Sequence, residues 1–159
     1  MSSKLRILLI ALAFFVMHLG SSHCIYAAPQ ASGCSMLTPA QIQNVLGHPF
    51  GSPTETKAPP AYAKQSWGSN CRYSAQNGAH MTVTFIVYVD SSPTEAKQTF
   101  DKLSVWYTPK SRPIVGDSAY MDAHGAIHVL KGKVRYFLYI DPESEKHVKD
   151  LAASIAGRI

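Results

Sequence analysis

The stretch that most constrains the fold runs from Cys71 to Val89, where two extended segments turn back on each other at Asn77-Gly78. Asn-Gly between alternating residues is a strong hairpin signal, because a type I′ turn needs positive φ at both central residues. Beyond the turn, Met81, Val83, Phe85, Val87 and Val89 fall on one face. His80, Thr82, Thr84 and Tyr88 fall on the other, with Ile86 as the one apolar residue there. A period of two is the pattern of a strand with one buried face. The chain is therefore expected to build on an antiparallel sheet.

Three segments carry helix grammar. Thr38 is placed to cap a helix, Pro39 stands at its first position, Gln41 completes a capping box and Gly47 ends it. Leu37 is set to staple onto Ile42, and Ile42, Val45 and Leu46 make the apolar stripe. Ser92-Pro93-Thr94-Glu95 repeats the signal before Ala96, Phe100 and Leu103. Asp141-Pro142 is expected to cap a third helix, with Val148, Leu151, Ala152 and Ile155 at helical spacing before Gly157. Between the last two helices, 118–122, 126–130 and 134–140 read as strands, with turns at His124-Gly125 and Lys131-Gly132.

The order is α-β-β-α-β-β-β-α. It predicts a single α+β domain: an antiparallel sheet of about five strands with three helices covering one face. Tyr73 lies five residues before Gly78 and Tyr120 five before Gly125, a faint internal repeat that suggests a helix–hairpin unit used twice.

The first 27 residues read as a secretory signal peptide: Lys4 and Arg6, an apolar run from Ile7 to Leu19, then Ile25-Tyr26-Ala27 for cleavage before Ala28. Residues 28–33 form a short flexible lead-in and 34–159 the domain. Two alternatives stay open, an uncleaved anchor and lipidation of Cys24, although His23 stands where a lipoprotein signal carries Gly or Ala. Cleavage takes the formal charge from +5 to about +3, a mild excess that names no partner. Lys131, Lys133 and Arg135 read as a solvated strand face, so no nucleic acid is expected. Cys34 and Cys71 remain after cleavage, and in an oxidising compartment a disulfide between them is the default.

From His48 to Asn70 no period survives, and Pro49, Pro53, Pro59 and Pro60 punctuate the segment. Loops of that length in a compact domain are functional or disordered. Its aromatic residues, Phe50, Tyr62 and Trp67, are candidate ligand-binding residues.

Catalytic chemistry is harder to find. Gly116-Asp117-Ser118 invites comparison with Gly-Asp-Ser hydrolases, but the usual Asp-x-x-His partner is absent and a tight turn into a strand accounts for it. Asp122, His124 and His128 would share a face of one straight strand, with the histidines about 13 Å apart, too far for a common metal. The acids Glu95, Asp141, Glu143 and Glu145 fall at helix N-termini, where the dipole favours them. No metal and no cofactor is expected. Trp67, Trp106 and Tyr107 read as core more readily than as a ligand groove.

Cys34-Ser-Met-Leu-Thr-Pro, Val45-Leu46-Gly47, Cys71-Arg-Tyr, Pro113-Ile-Val-Gly-Asp-Ser-Ala-Tyr120 and Leu130-Lys-Gly together resemble small exported bacterial envelope domains and lipoproteins of unknown function. The resemblance implies a Cys34–Cys71 disulfide, an α+β fold and an envelope location, and it brings no catalytic residues. The shortened Val115-Gly116-Asp117 element and the lack of a good lipobox depart from that pattern. The expected function is a periplasmic or secreted, non-enzymatic binding domain for an envelope protein, glycan or lipid-like ligand. It would meet a membrane only if Cys24 is lipidated. The alternative is a small envelope hydrolase using Ser118 or a histidine cluster.

Overall fold

A computed structural model describes residues 32–59, 65–142 and 144–159, which all belong to one compact unit, 31–159. The leader with Cys24, the cleavage point, most of the lead-in, Tyr62 and Glu143 lie outside the described residues. The described residues open with a 3₁₀ turn at Gly33–Met36 and continue into helix α1 at Pro39–Leu46. The predicted ends of α1 are present: Thr38 and Gln41 form the capping box, and Gly47 adopts φ +74°. Strands β1 (Thr54–Lys57), β2 (Gln65–Ser74) and β3 (Thr82–Asp90) follow, then helix α2 (Pro93–Trp106). Strands β4 (Ser118–Met121), β5 (Ile127–Lys131) and β6 (Val134–Asp141) lead to helix α3 (Glu145–Ala156).

The six strands form one antiparallel sheet in the order β1-β2-β3-β6-β5-β4. The α+β class holds, and the strand count rises from the expected five or so to six. The added strand, β1, comes from the aperiodic loop, where Glu55 pairs with Cys71 and Lys57 with Ser69. All four of its residues are exposed, so it carried no apolar alternation to find. The Asn77-Gly78 turn is as predicted, with φ of +59° and +80°. The third helix starts later than predicted: Asp141 ends β6, and Ser144 precedes the helix.

The helices do not share one face. The apolar face of β3 (Val83, Phe85, Val87) joins Ile127, Val129, Leu138 and Ile140 against Ile42 and Leu46 of α1 and Val148, Leu151 and Ile155 of α3. Helix α2 packs on the opposite face, where Ala96 and Phe100 meet Tyr120 and Leu130. The reason lies in β5, whose first four residues, Ile127, His128, Val129 and Leu130, are all buried. A strand apolar on both sides needs a cover on both sides.

The cysteine pair closes the domain start onto the sheet, with Cys34 and Cys71 joined across a separation of 37 residues. Gly33 has no room for a side chain there, since a Cβ would lie 2.5 Å from Val87 Cγ1.

Candidate functional site: the cleft beneath helix α2

On the α2 side of the sheet, the register aligns one residue from each of five strands into a row. Asn70 pairs with Ile86, Ile86 with Phe137, Phe137 with His128, and His128 with Tyr120. The last three form an aromatic platform. Tyr120 stacks on His128 with ring centroids 4.4 Å apart, and Phe137 meets His128 edge-on at 5.1 Å. Tyr107, just past the end of α2, comes within 4.7 Å of His128, and Phe100 of α2 lies 5.1 Å from Tyr120. Alternation puts Tyr120, His128 and Phe137 on this face because each sits opposite in phase to a core residue of its own strand.

Two buried polar pairs flank the platform. Asp122 Oδ2 lies 3.1 Å from His128 Nε2. Its other oxygen accepts the backbone N–H groups of His124 and Ala126 at 2.9 and 3.1 Å. Burial holds the His128 pKa below its usual value of 6.5, against the upward pull of Asp122. The neutral ring therefore offers its Nε2 proton to the carboxylate, which can only accept. In the second pair, Arg135 donates from Nε and Nη2 to Asp90 at 2.5 and 3.0 Å, with the arginine 3% and the aspartate 0% exposed. The guanidinium also lies 5.0 Å over the Tyr88 ring. Arg135 is thus a buried partner of Asp90, not one of a solvated trio with Lys131 and Lys133; Lys131 pairs with Asp117 at 3.1 Å.

Between α2 and this face lies a cavity of about 30 Å³, lined by Tyr88, Phe100, Leu103, Tyr120, His128, Val129, Arg135, Tyr136 and Phe137. Tyr120 is fully buried, and its hydroxyl has no hydrogen-bond partner among the described residues. Burial pushes the Tyr120 hydroxyl pKa well up, so it remains protonated and is a donor. An orphaned buried hydroxyl costs about 1–3 kcal/mol, and Asn70 Oδ1 and Ser111 Oγ are likewise unpartnered among the described residues. At the rim, Val105 is 76%, Trp106 62% and Tyr107 44% exposed.

A second concavity of about 270 Å³ follows the loop from Arg112 to Ala119. Asp117 organises it by accepting the Gly132 N–H at 2.7 Å, which with Lys131 lowers its pKa. Ser118 is exposed at the start of β4, and among the described residues no histidine lies within hydrogen-bond reach of it. His147 bonds instead to Ser144 at 2.9 Å. Gly116-Asp117-Ser118 is therefore a turn leading into a strand, as its residues suggested.

The other sequence-predicted residues fall elsewhere. Phe50 is a core residue, 6% exposed, and Trp67 packs half-buried against the same core. His124 meets Asp122 only through its backbone N–H. Among the described residues, the one group of three close metal-type donors is Cys34, Glu55 and Cys71, and both sulfurs are committed to the disulfide. Sequence reasoning missed Tyr88, Tyr120 and Arg135 as a site. The available signal was the second face of β4 to β6, where Tyr120, His128, Leu130 and Phe137 are too apolar for an open surface.

No family model matches the chain, and no curated protein matches it. Among solved structures, the fold is similar to the extracellular domain of PknH from Mycobacterium tuberculosis, at 13% sequence identity and a TM-score of 0.57. The alignment covers 82% of this chain and 97% of that one. At that identity the likeness is one of fold.

Proposed function

We propose that this chain is an exported, non-enzymatic binding domain that takes its ligand on the α2 side of the sheet. Export is supported by the leader-like N-terminus, by the Cys34–Cys71 disulfide and by a fold shared with an extracellular domain. The resemblance to small envelope domains fits the same location. The observation that carries the binding reading is the cavity beneath α2, lined by Phe100, Leu103, Tyr120, His128 and Phe137 among others, with the exposed Val105 and Tyr107 at the end of that helix. Phe50 and Trp67 pack in or against the core, which moves the proposed surface from the 48–70 loop to α2. The hydrolase alternative has less support: among the described residues Ser118 has no histidine within hydrogen-bond reach, and His128 is enclosed by Tyr107, Tyr120 and Phe137.

The test starts from protein recovered from an exporting host and extracted with chloroform–methanol. Mass spectrometry of the extract is expected to show a retained small molecule, and envelope extracts are expected to raise the melting temperature of the stripped domain. An unchanged melting temperature, or ester hydrolysis that disappears in Ser118→Ala, would overturn the reading.

A further inference from the structure

We propose that the edge strand β1 is a docking edge for a second copy of this chain, pairing antiparallel with its own counterpart across a two-fold axis at Thr56. The direction of the backbone groups sets this edge apart. Ala58 donates its N–H to the Gly68 carbonyl at 3.1 Å, and the register that pairs Thr56 with Asn70 continues the same alternation. Thr54, Thr56 and Ala58 therefore bond inward to β2, while Glu55 and Lys57 turn their N–H and C=O groups outward. Among the described residues nothing pairs with that outer side. Pro53 and Pro59, two residues away on either side, bring no N–H, so the open ladder is confined to Glu55 and Lys57. The opposite edge is met by the chain itself: Met121 of β4 donates its N–H to Ser111 at 2.9 Å and accepts from Lys110 at 2.7 Å.

Charge and symmetry select a second copy over an unrelated strand. Glu55 and Lys57 are two residues apart and share one face of the strand. Ser32 and Ser69 donate their hydroxyls to the Glu55 carboxylate at 2.6 and 2.7 Å and keep it ionised. Lys57 is exposed and forms no ion pair among the described residues. A lone lysine on an edge repels a second strand. In the antiparallel register centred on Thr56, Glu55 of each copy instead stands opposite the partner's Lys57, at a hydrogen-bonded position, and the two Thr56 residues meet on the axis. That register supplies an opposite-charge pair and a pair of backbone bonds at each of its two outward positions. A slip of two residues in either direction sets Glu55 against Glu55 or Lys57 against Lys57, so the charges fix the register. The contact is short, which places the association in the weak, concentration-dependent class.

The experiment is sedimentation velocity of protein recovered from an exporting host, disulfide intact, over a range of concentrations. The wild type is expected to pass from monomer to dimer as the concentration rises. Lys57→Glu and Glu55→Lys each set like charges against one another and are expected to weaken the dimer about tenfold. Mixing the two variants restores opposite charges at both positions, and a heterodimer of wild-type affinity is expected. Thr56→Cys leaves both charges and the Ser32 and Ser69 bonds in place; it is expected to cross-link two copies, since facing residues on the axis bring their Cα atoms to about 4.5 Å. Thermal melts verify that each variant folds. A monomer at every concentration up to about 1 mM would overturn the proposal. Protection of the Glu55 and Lys57 amides from hydrogen exchange in that monomer would give the edge to another segment of the same chain. A dimer that withstands Lys57→Glu would overturn β1 as the interface, and Thr56→Cys without a cross-link would overturn the register.

Discussion

Tyr73 and Tyr120 occupy the same place in two hairpins, five residues before the turn glycine, yet they face opposite sides of the sheet and meet opposite fates. Both are fully buried. The Tyr73 hydroxyl faces the carbonyl oxygens of Cys34, at 3.1 Å, and Leu37, tying the first turn of the domain to β2. Tyr120 lines the cavity beneath α2, and its buried hydroxyl has no such acceptor among the described residues. One tyrosine ties two elements together through its hydroxyl, and the other is held by ring packing alone among the described residues.

The contrast is directly measurable in the ligand-free domain. Tyr73→Phe removes the hydroxyl proton offered to the Leu37 and Cys34 carbonyls, of which only Cys34 keeps another donor in the Leu37 N–H, and is expected to cost about 1–2 kcal/mol. Tyr120→Phe removes a hydroxyl that bonds nothing among the described residues, and its stability is expected to equal or exceed the wild type. Urea unfolding of the two variants should separate them. Equal losses would mean that Tyr120 has a structural acceptor.

The Asp90–Arg135 pair sits between β3 and β6 with almost no solvent contact. Asp90→Ala or Arg135→Ala alone strands a charge and is expected to destabilise by about 3–5 kcal/mol. Replacing both by Leu and Met should recover most of that loss, because two desolvation costs disappear together. A double-mutant cycle in urea checks both statements.

His128 gives the domain a pH dependence of known sign. Burial lowers its folded pKa, so below the unfolded value of 6.5 the unfolded chain binds a proton that the folded chain resists. Stability from this group is fully present above about pH 6.5 and falls as the pH drops toward the lower folded value. Asp122 moderates the fall by favouring the charged ring. His128→Gln is expected to flatten the slope of unfolding free energy between pH 7 and 5, about the range of histidine titration. An unchanged slope would assign it to other groups.

Reduction opens a constraint of 37 residues that ties the 3₁₀ turn to the second strand. The chain-entropy account gives a loss of about 3–4 kcal/mol for a Cys34→Ser, Cys71→Ser double variant. Thermal melts with and without a phosphine reductant should show the same drop in the wild type and none in the variant.

Local signals are legible in the sequence because each depends on neighbours only a few residues away. The capping box at Thr38 and Gln41, the positive φ at Asn77, Gly78 and Gly125, and the alternation of Val83, Phe85 and Val87 all follow from that range. They determined the α+β class and the hairpins, and the pair Cys34 and Cys71 followed from compartment and count. Strand β1 escaped because exposed residues carry no period, and its pairing with β2 is supplied by a strand distant in sequence. The side of the sheet taken by α2 was decided by the summed apolarity of Tyr120, Leu130 and Phe137 on three strands, which becomes one surface only after β5 pairs with both β4 and β6. The same holds for the site. An orphaned hydroxyl is a statement about what does not surround Tyr120, and only the tertiary packing of α2 over the sheet creates that absence.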